Sequence, residues 1–226
     1  MIGLMGAMDI EVAAIKLALQ GQQTSTILGN EVISGELDGT PVLVVKCGVG
    51  KVNATLAAAA LAQAGVGRIV FTGVAGGVGE GVKVGDVVIA TDLVQHDVDV
   101  TAFGYEPGQQ AGEPLSWSTD QALSDALAAT ATRLHARVHR GRIASGDQFI
   151  SSDTASMAIR DRFGAIAVEM EGAAVAQAAA HLGLPFAVVR WISDTADEDA
   201  VTDFPAFIKH AAGLDLEIVR GLLNSQ

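Results

Sequence analysis

The sequence predicts an α/β fold built on a single sheet. Short apolar runs alternate from end to end with longer Ala- and Leu-rich runs at helical spacing. The chain has 226 residues, a length typical of one domain or two small ones, and no linker, composition shift or internal repeat divides it. We therefore expect one domain covering residues 1–226. Its 26 glycines and 4% aromatic content favour closely packed helices and tight turns.

The first half of the chain predicts a strand, a helix, a hairpin and a second helix. An apolar run at 2–6 ends in glycine, and apolar side chains at 9–20 fall on one helical face. The turn dipeptide Asp38-Gly39 predicts a hairpin between the apolar runs on either side of it. The remaining predicted elements of this half are the hairpin strands at 31–37 and 41–47, a helix at 53–64, and strands at 68–72 and 86–91.

The second half continues the alternation after an irregular segment. Residues 103–119 carry Gly, Pro and aromatic residues without periodicity, which predicts a long loop. Ala and Leu recur at helical spacing over 119–136, which predicts a helix. The remaining predicted elements are strands at 138–145, 165–168 and 186–192, and helices at 152–162, 172–182 and 205–223.

Charge and hydropathy exclude several partners. The chain has 14 basic and 26 acidic residues, a net charge of −12, and no basic cluster, so we expect neither nucleic acid nor anionic lipid as a partner. The beginning of the chain lacks a positively charged segment and a signal cleavage site. The uncharged stretch at 172–189 contains Gln, His, Gly and Pro, and is read as a helix, turn and strand rather than a membrane span. We expect a cytoplasmic protein.

Cysteine and histidine usage argues against a metal site. The single cysteine, Cys47, excludes an internal disulfide and follows an apolar run, which favours a buried side chain over a reactive thiol. The five histidines show no zinc spacing, so we expect no metal and no cofactor. The sequence contains no Gly-x-Ser-x-Gly motif, which would have indicated a serine hydrolase.

Two glycine-rich motifs follow predicted strands. Gly48-Val49-Gly50-Lys51 superficially resembles a phosphate-binding loop, but the Walker spacing is absent and Val52 follows the lysine, so a close-approach turn is favoured. The glycines of 73–77 would let a ligand lie on the backbone, with a flexible loop as the alternative. A Rossmann interpretation lacks the acidic residue expected at the end of the next parallel strand.

Carboxylates also follow predicted strands. Glu11 falls in the first turn of a helix, where the helix dipole alone would favour an acid. Glu169 and Glu171 end one strand, and Asp194 ends another. Because burying a charge is costly, Arg190 within an apolar strand predicts a carboxylate partner or a charged ligand. Carboxylates on separate strands fit acid–base chemistry on a neutral, hydroxyl-rich substrate, with metal ligation as the competing use.

Taken in order, these motifs resemble the bacterial 5′-methylthioadenosine/S-adenosylhomocysteine nucleosidases, a branch of the purine nucleoside phosphorylase superfamily. The resemblance runs from residue 1 to the last helix. It implies a single three-layer α/β/α sandwich with a central twisted mixed β-sheet, and a homodimer. The motifs that carry it are Gly6-Ala7-Met8 with Glu11, Gly48-Val49-Gly50-Lys51, 72–77, Val84-Gly85-Asp86, 97–105, Ser145-Gly146-Asp147, Phe149-Ile150, 168–171 and 190–194.

The resemblance implies hydrolysis of the N-glycosidic bond of methylthioadenosine, adenosylhomocysteine and 5′-deoxyadenosine. Glu11 would activate water, Asp194 would protonate adenine N7 beside Ser193, and Glu171 would hold the ribose hydroxyls. Arg190 would help to fix Glu11 and the water. The other implied substrate-binding residues are Phe149 and Ile150 at adenine, Met170 at the sugar, Met8, Val49, Ala75, Gly76, Val168, Glu169 and Phe204 in the pocket, and Val100, Phe103 and Tyr105 reaching across the dimer.

Alternative functions stay open at this point. The phosphorylase relatives need arginines to hold phosphate, whereas Arg68 is the first arginine here and Glu11 would repel phosphate, which favours hydrolysis. A futalosine-type nucleosidase and a non-catalytic nucleoside-binding protein are the other candidates. Two residues depart from the family pattern, Val74 where many members carry a hydroxyl and Ala111 where proline is common.

Overall fold

The fold is a mixed β-sheet between two layers of helices. The structure is a computed structural model and describes residues 1–197 and 200–225. The strands are β1 (Ile2–Gly6), β2 (Gln20–Ile27), β3 (Asn30–Leu37), β4 (Thr40–Lys46), β5 (Arg68–Phe71), β6 (Val74–Gly77), β7 (Val87–Gln95), β8 (Trp117–Ser118), β9 (Val138–Ser145), β10 (Ala165–Glu169) and β11 (Phe186–Asp194). The helices are α1 (Asp9–Ala18), α2 (Lys51–Gln63), α3 (Gln121–Arg133), α4 (Asp153–Phe163), α5 (Gly172–His181) and α6 (Ala200–Leu223), with a short 3₁₀ helix at Thr101–Phe103.

The strands are ordered β2-β3-β4-β1-β5-β11-β6-β10-β9-β7-β8. An additional pairing between β7 and β11 closes five of them, β11, β6, β10, β9 and β7, into a small barrel. Strand β11 belongs to both parts of the sheet. Its first residues pair in parallel with β5, and its last residues pair in parallel with β6. The end of β11 therefore lies where the open sheet meets the barrel.

Small side chains bring the helices close to the sheet. On one face, α2 and α5 bury mostly alanines, including Ala54, Ala58 and Ala176, against the strands. On the other face, α1, α3 and α6 contribute larger side chains such as Val12, Leu127 and Leu222. The predicted α/β/α fold class is confirmed.

The differences from the predicted elements have identifiable causes. Strand β2 is almost entirely polar and exposed, so hydrophobic alternation does not reveal it; it is an edge strand paired antiparallel with β3. Strand β6, a Val-Ala-Gly-Gly segment, is not among the predicted strands, because its glycines indicate a backbone on which a ligand can lie or, alternatively, a flexible loop. In the structure it lies between β11 and β10 in the sheet. Helix α1 ends two residues earlier than predicted, and α6 begins at Ala200 rather than at 205.

Among residues 1–197 and 200–225, none of the helices combines the length and the apolar character that a membrane span requires.

Candidate active site

A cavity of about 250 Å³ opens where β1, β6, β10 and β11 end. Four buried carboxylates line it, namely Glu11, Glu169, Glu171 and Asp194. The predicted roles at the sugar and the base fall on three of them, Glu11, Glu171 and Asp194. The complete lining is Ala7, Met8, Glu11, Val49, Val74, Ala75, Gly76, Gln148, Phe149, Ile150, Val168, Glu169, Met170, Glu171, Ser193, Asp194 and Phe204.

Glu11 is held between two strands by backbone donors. Its Oε2 accepts hydrogen bonds from the Ala7 and Met8 amides at 2.7 and 2.9 Å, and its Oε1 accepts one from the Val74 amide at 3.2 Å. The side chain is only 3% exposed, and this burial raises its pKa although the Arg190 charge and the three amides oppose the shift. Glu11 is therefore an oriented carboxyl group with an increased affinity for a proton.

Gly73 and Gly76, immediately before and within β6, make room for carboxylates that line the cavity. Gly73 has φ +144°, and a Cβ there would lie 2.5 Å from Glu11 Oε1. A Cβ on Gly76 would lie 2.9 Å from Asp194 Oδ1. These glycines predict a ligand lying on the backbone, and in the structure they also admit carboxylates of the protein itself.

Asp194 is the last residue of β11 and is 2% exposed. Its Oδ2 accepts a hydrogen bond from the Ser193 hydroxyl at 2.7 Å, and its Oδ1 accepts one from the Ala196 amide at 2.9 Å. Ser193 thus lies beside Asp194 as expected. An aromatic wall stands at the same cavity, where the rings of Phe149 and Phe204 meet edge to face at 5.9 Å.

Glu171 precedes α5 and joins the cavity to α2. Its Oε1 accepts a hydrogen bond from the Gly50 amide at 2.8 Å. Burial and the neighbouring Glu169 charge raise the pKa of Glu171 to about 8, against the opposing effects of Gly50 and Arg190. The neutral form of Glu171 is therefore the main one at neutral pH.

The glycine loop before α2 is occupied by carboxylates of the same chain. The Gly50 amide donates to Glu171, and the Lys51 amide donates to Asp147 at 2.8 Å. The Lys51 ammonium contacts Asp97 at 2.6 Å. Because the amides and the lysine that would hold a phosphate have acidic partners, the close-approach turn is the correct interpretation. Gly50 has φ +99° in that turn.

Glu169, which also lines the cavity, forms a buried ion pair with Arg190. Arg190 Nη2 lies 2.7 Å from Glu169 Oε2, and the guanidinium lies 4.0 Å from the centroid of the Phe71 ring. The Ser145 hydroxyl and the Gly172 amide also donate to Glu169. The predicted carboxylate partner of Arg190 is therefore Glu169. Arg190 does not line the cavity and acts on Glu11 through its charge.

We expect Arg190→Met to lower the free energy of unfolding by about 3–5 kcal/mol, because Glu169 would remain as an unpaired buried charge. Urea denaturation at pH 7 measures this. Arg140→Met removes an exposed ion pair with Asp125 and serves as the control, with an expected loss of about 0–1 kcal/mol. Equal losses in the two variants would contradict the structural role given to the buried pair.

Some predicted residues lie elsewhere, and three lining residues are not among those predicted. Val100, Phe103 and Tyr105 do not line the cavity of their own chain, and Phe103 is 82% exposed. The three unpredicted lining residues are Ala7, Val74 and Gln148. Each is adjacent in the chain to a predicted residue, so adjacency is the signal that could have found them.

Cys47 is a buried thiol that does not line the cavity. The Cys47 side chain is buried as expected, its Sγ donates to the Gly48 carbonyl at 3.1 Å, and burial raises the pKa of the thiol. Within the part of the chain that the structure describes, no group of three or more His, Cys, Asp or Glu side chains is arranged to hold a metal ion.

Known proteins resemble this chain over its whole length. A family model described as the phosphorylase superfamily matches residues 1–224. The solved 5′-methylthioadenosine/S-adenosylhomocysteine nucleosidase of Neisseria meningitidis, in complex with methylthio-immucillin-A, is 38% identical with a TM-score of 0.95, and the match covers 100% of this chain and 99% of that one. The corresponding S. pneumoniae nucleosidase, with the transition-state inhibitor MT-ImmA, is 40% identical with a TM-score of 0.92. This match covers 98% of this chain and 97% of that one.

A futalosine hydrolase mutant of Helicobacter pylori is 33% identical with a TM-score of 0.94, and the match covers 100% of this chain and 99% of that chain. The resemblance inferred from the motifs is thus confirmed. The chain belongs to the phosphorylase superfamily and folds as its nucleosidase members do.

Proposed function

We propose that the protein hydrolyses the N-glycosidic bond of 5′-methylthioadenosine and S-adenosylhomocysteine, and of 5′-deoxyadenosine, to release adenine. The observation that carries this proposal is the convergence of Glu11, Glu171 and Asp194 on one cavity with an aromatic wall. The similarity to solved nucleosidases at 38% and 40% identity supports the same reaction class.

The two ends of the reaction need opposite proton transfers. Water attacks C1′ of the sugar, the C1′–N9 bond breaks, and its electron pair moves into the purine. Asp194 gives a proton to N7, so that adenine leaves as a neutral base, and Glu11 takes a proton from the attacking water. Each well-placed acid or base contributes about 10²–10⁴ in rate. Carboxylates near the sugar also stabilise the positive charge that develops on it.

The remaining lining fits the apolar and hydroxyl-bearing parts of a nucleoside. Phe149 would stack on adenine, with Phe204 packed against that ring, and the Ile150 backbone would read the base edge. Glu171 would accept the ribose hydroxyls, with Met170 against the sugar. Met8, Val49, Ala75, Gly76 and Val168 complete the wall around the substrate, and Glu169 lies deeper with its oxygens already hydrogen-bonded.

Water, rather than phosphate, is the nucleophile that this lining favours. Within the part of the chain that the structure describes, the lining residues include no Lys, Arg or His, and the nearby Arg190 is already paired with Glu169. Phosphate would therefore meet carboxylates without a compensating cation.

Adenine release from methylthioadenosine in phosphate-free buffer, followed by chromatography, tests the reaction. We expect release at the same rate with and without added phosphate. Strict dependence on phosphate would identify a phosphorylase, and no release at all would leave a nucleoside-binding protein. Futalosine is the second substrate to compare, because the H. pylori futalosine hydrolase resembles the chain almost as closely. The larger kcat/KM identifies the preferred substrate.

We also propose a homodimer in which 100–105 of one chain covers the cavity of the other. Phe103 is 82% exposed in a 3₁₀ helix that does not reach its own cavity, and a large exposed aromatic side chain is typical of an interface. Light scattering is expected to give the mass of two chains. Phe103→Ala is expected to raise KM for methylthioadenosine, and a monomeric mass with an unchanged KM would contradict the dimer.

Glu171 should make substrate affinity depend on pH. With a pKa of about 8 in the free protein, only the minor ionised form at pH 7 can accept both ribose hydroxyls, whereas that form predominates at pH 9. We expect the Kd of an unreactive nucleoside analogue to fall about tenfold between pH 7 and pH 9. Titration calorimetry measures it. In Glu171→Gln the fall should disappear; a fall of the same size in that variant would contradict the assignment.

A further inference from the structure

A further buried acid, Asp215, has no part in the proposed chemistry. Asp215 of α6 is completely buried, and neither carboxyl oxygen has a hydrogen-bond partner among the described residues. A buried carboxyl group without a partner destabilises the packing around it. Asp215 therefore weakens the packing between α6 and the elements that surround it.

Asp215 interrupts an apolar stripe that attaches α6 to the sheet. Positions 204, 208, 215, 218 and 222 fall on one face of the helix, and all but Asp215 carry Phe, Ile or Leu. Ile208, Ile218 and Leu222 are buried in the same apolar layer as α1 and α3. At the other end of the stripe, Phe204 lines the cavity and packs on Phe149. Asp215 and the cavity-lining Phe204 therefore belong to the same helix and the same apolar stripe.

The charges around Asp215 decide its form. Burial raises its pKa well above the ordinary value, the Glu11 charge raises it further, and Arg190 opposes them. Among the described side chains of the packed elements, the other charged groups have partners of their own. These are Asp9 with Lys46 and Lys16 with Glu31 on α1, Asp125 with Arg140 and Arg133 with the Gly221 carbonyl on α3, and Arg220 with Asp38 and Glu217 on α6 itself. On β11, Asp194 accepts hydrogen bonds from Ser193 and Ala196.

We propose that Asp215 is a pH-sensitive latch of α6. The apolar stripe keeps the helix docked on the sheet while Asp215 is a neutral acid, and ionisation of Asp215 releases the helix together with the Phe204 wall. Opening of α6 brings the carboxyl group into water, where it ionises at ordinary pH. Asp215 keeps its proton in the docked form and loses it in the open form. The population of the open form therefore increases as pH rises. The equilibrium constant for opening should increase about tenfold for each pH unit between the pKa of Asp215 in the open form and its higher pKa in the docked form.

Hydrogen exchange of backbone amides tests the latch without reference to the catalytic proposal. After correction for intrinsic exchange, opening of α6 in the wild type should increase as pH rises above 5, by up to about tenfold per unit, whereas α2 on the opposite face of the sheet should not follow it. Asp215→Asn should abolish this slope, because the amide cannot ionise. Glu217→Gln removes an exposed acid from the same helix and should retain it.

Two results would overturn the latch. One is an α6 opening that does not change with pH in the wild type, a measurement that needs no variant. The other is the same slope in Asp215→Asn as in the wild type. If Asp215→Asn does not fold, Asp215→Leu provides the second non-ionising variant, since it continues the apolar stripe.

Discussion

Asp194→Asn is expected to lower kcat for adenine release by about 10²–10⁴, because the amide has no proton to give to N7. Asparagine has nearly the shape of aspartate, and its side-chain carbonyl oxygen can still accept the hydrogen bond from the Ala196 amide. Binding of the nucleoside should therefore change much less than kcat. Single-turnover adenine release and the Kd of an unreactive analogue separate the two quantities.

The matched control is Asp161→Asn, which makes the same change at an exposed position on α4 outside the cavity. It should leave kcat and stability unchanged. If Asp194→Asn retained more than a tenth of the wild-type kcat, another group would have to be the acid, and the assignment of Asp194 would be wrong.

Gly73→Ala is expected to lower kcat about 10²-fold with an intact fold. The added Cβ would lie 2.5 Å from Glu11 Oε1, well inside contact distance, so the carboxylate must move away from the Val74 amide. A displacement of about 1 Å at a reacting group is sufficient for a loss of that size. Steady-state kinetics measures the loss, and the circular dichroism spectrum confirms the fold.

The control for backbone strain is Gly65→Ala. Gly65 also has a positive φ, +87°, but a Cβ there has no neighbour within 4 Å. The Gly65→Ala variant should therefore lose about 1–2 kcal/mol in the free energy of unfolding and keep its full activity. Similar losses of kcat in both variants would show that strain, rather than displacement of Glu11, explains the effect at Gly73.

The pattern of apolar runs predicted most of the sheet and its helices because burial selects side chains at period 2 or 3.6. That signal fails where burial is absent or side chains are minimal. Strand β2 is exposed along its length, and β6 carries two glycines in four residues. Both are strands because a neighbouring strand supplies backbone partners, which is information from elsewhere in the chain.

The composition of the site followed from strand ends. Glu11, Glu171 and Asp194 each come at the junction of a strand and a helix, and neighbouring strands bring such junctions to one edge. What each polar group contacts did not follow. Glu169 was assigned to substrate, but its oxygens accept from Arg190, Ser145 and the start of α5.

By itself, the sequence determined the alternation of elements, the family and the three carboxylates that share the cavity, because these are written in local spacing and order. Only the tertiary structure decided which charge pairs with which, why Gly73 and Gly76 have no side chain, and that Asp215 is enclosed without a hydrogen-bond partner among the described residues. Those facts depend on distances between residues far apart in the chain, and local pattern carries no information about such distances.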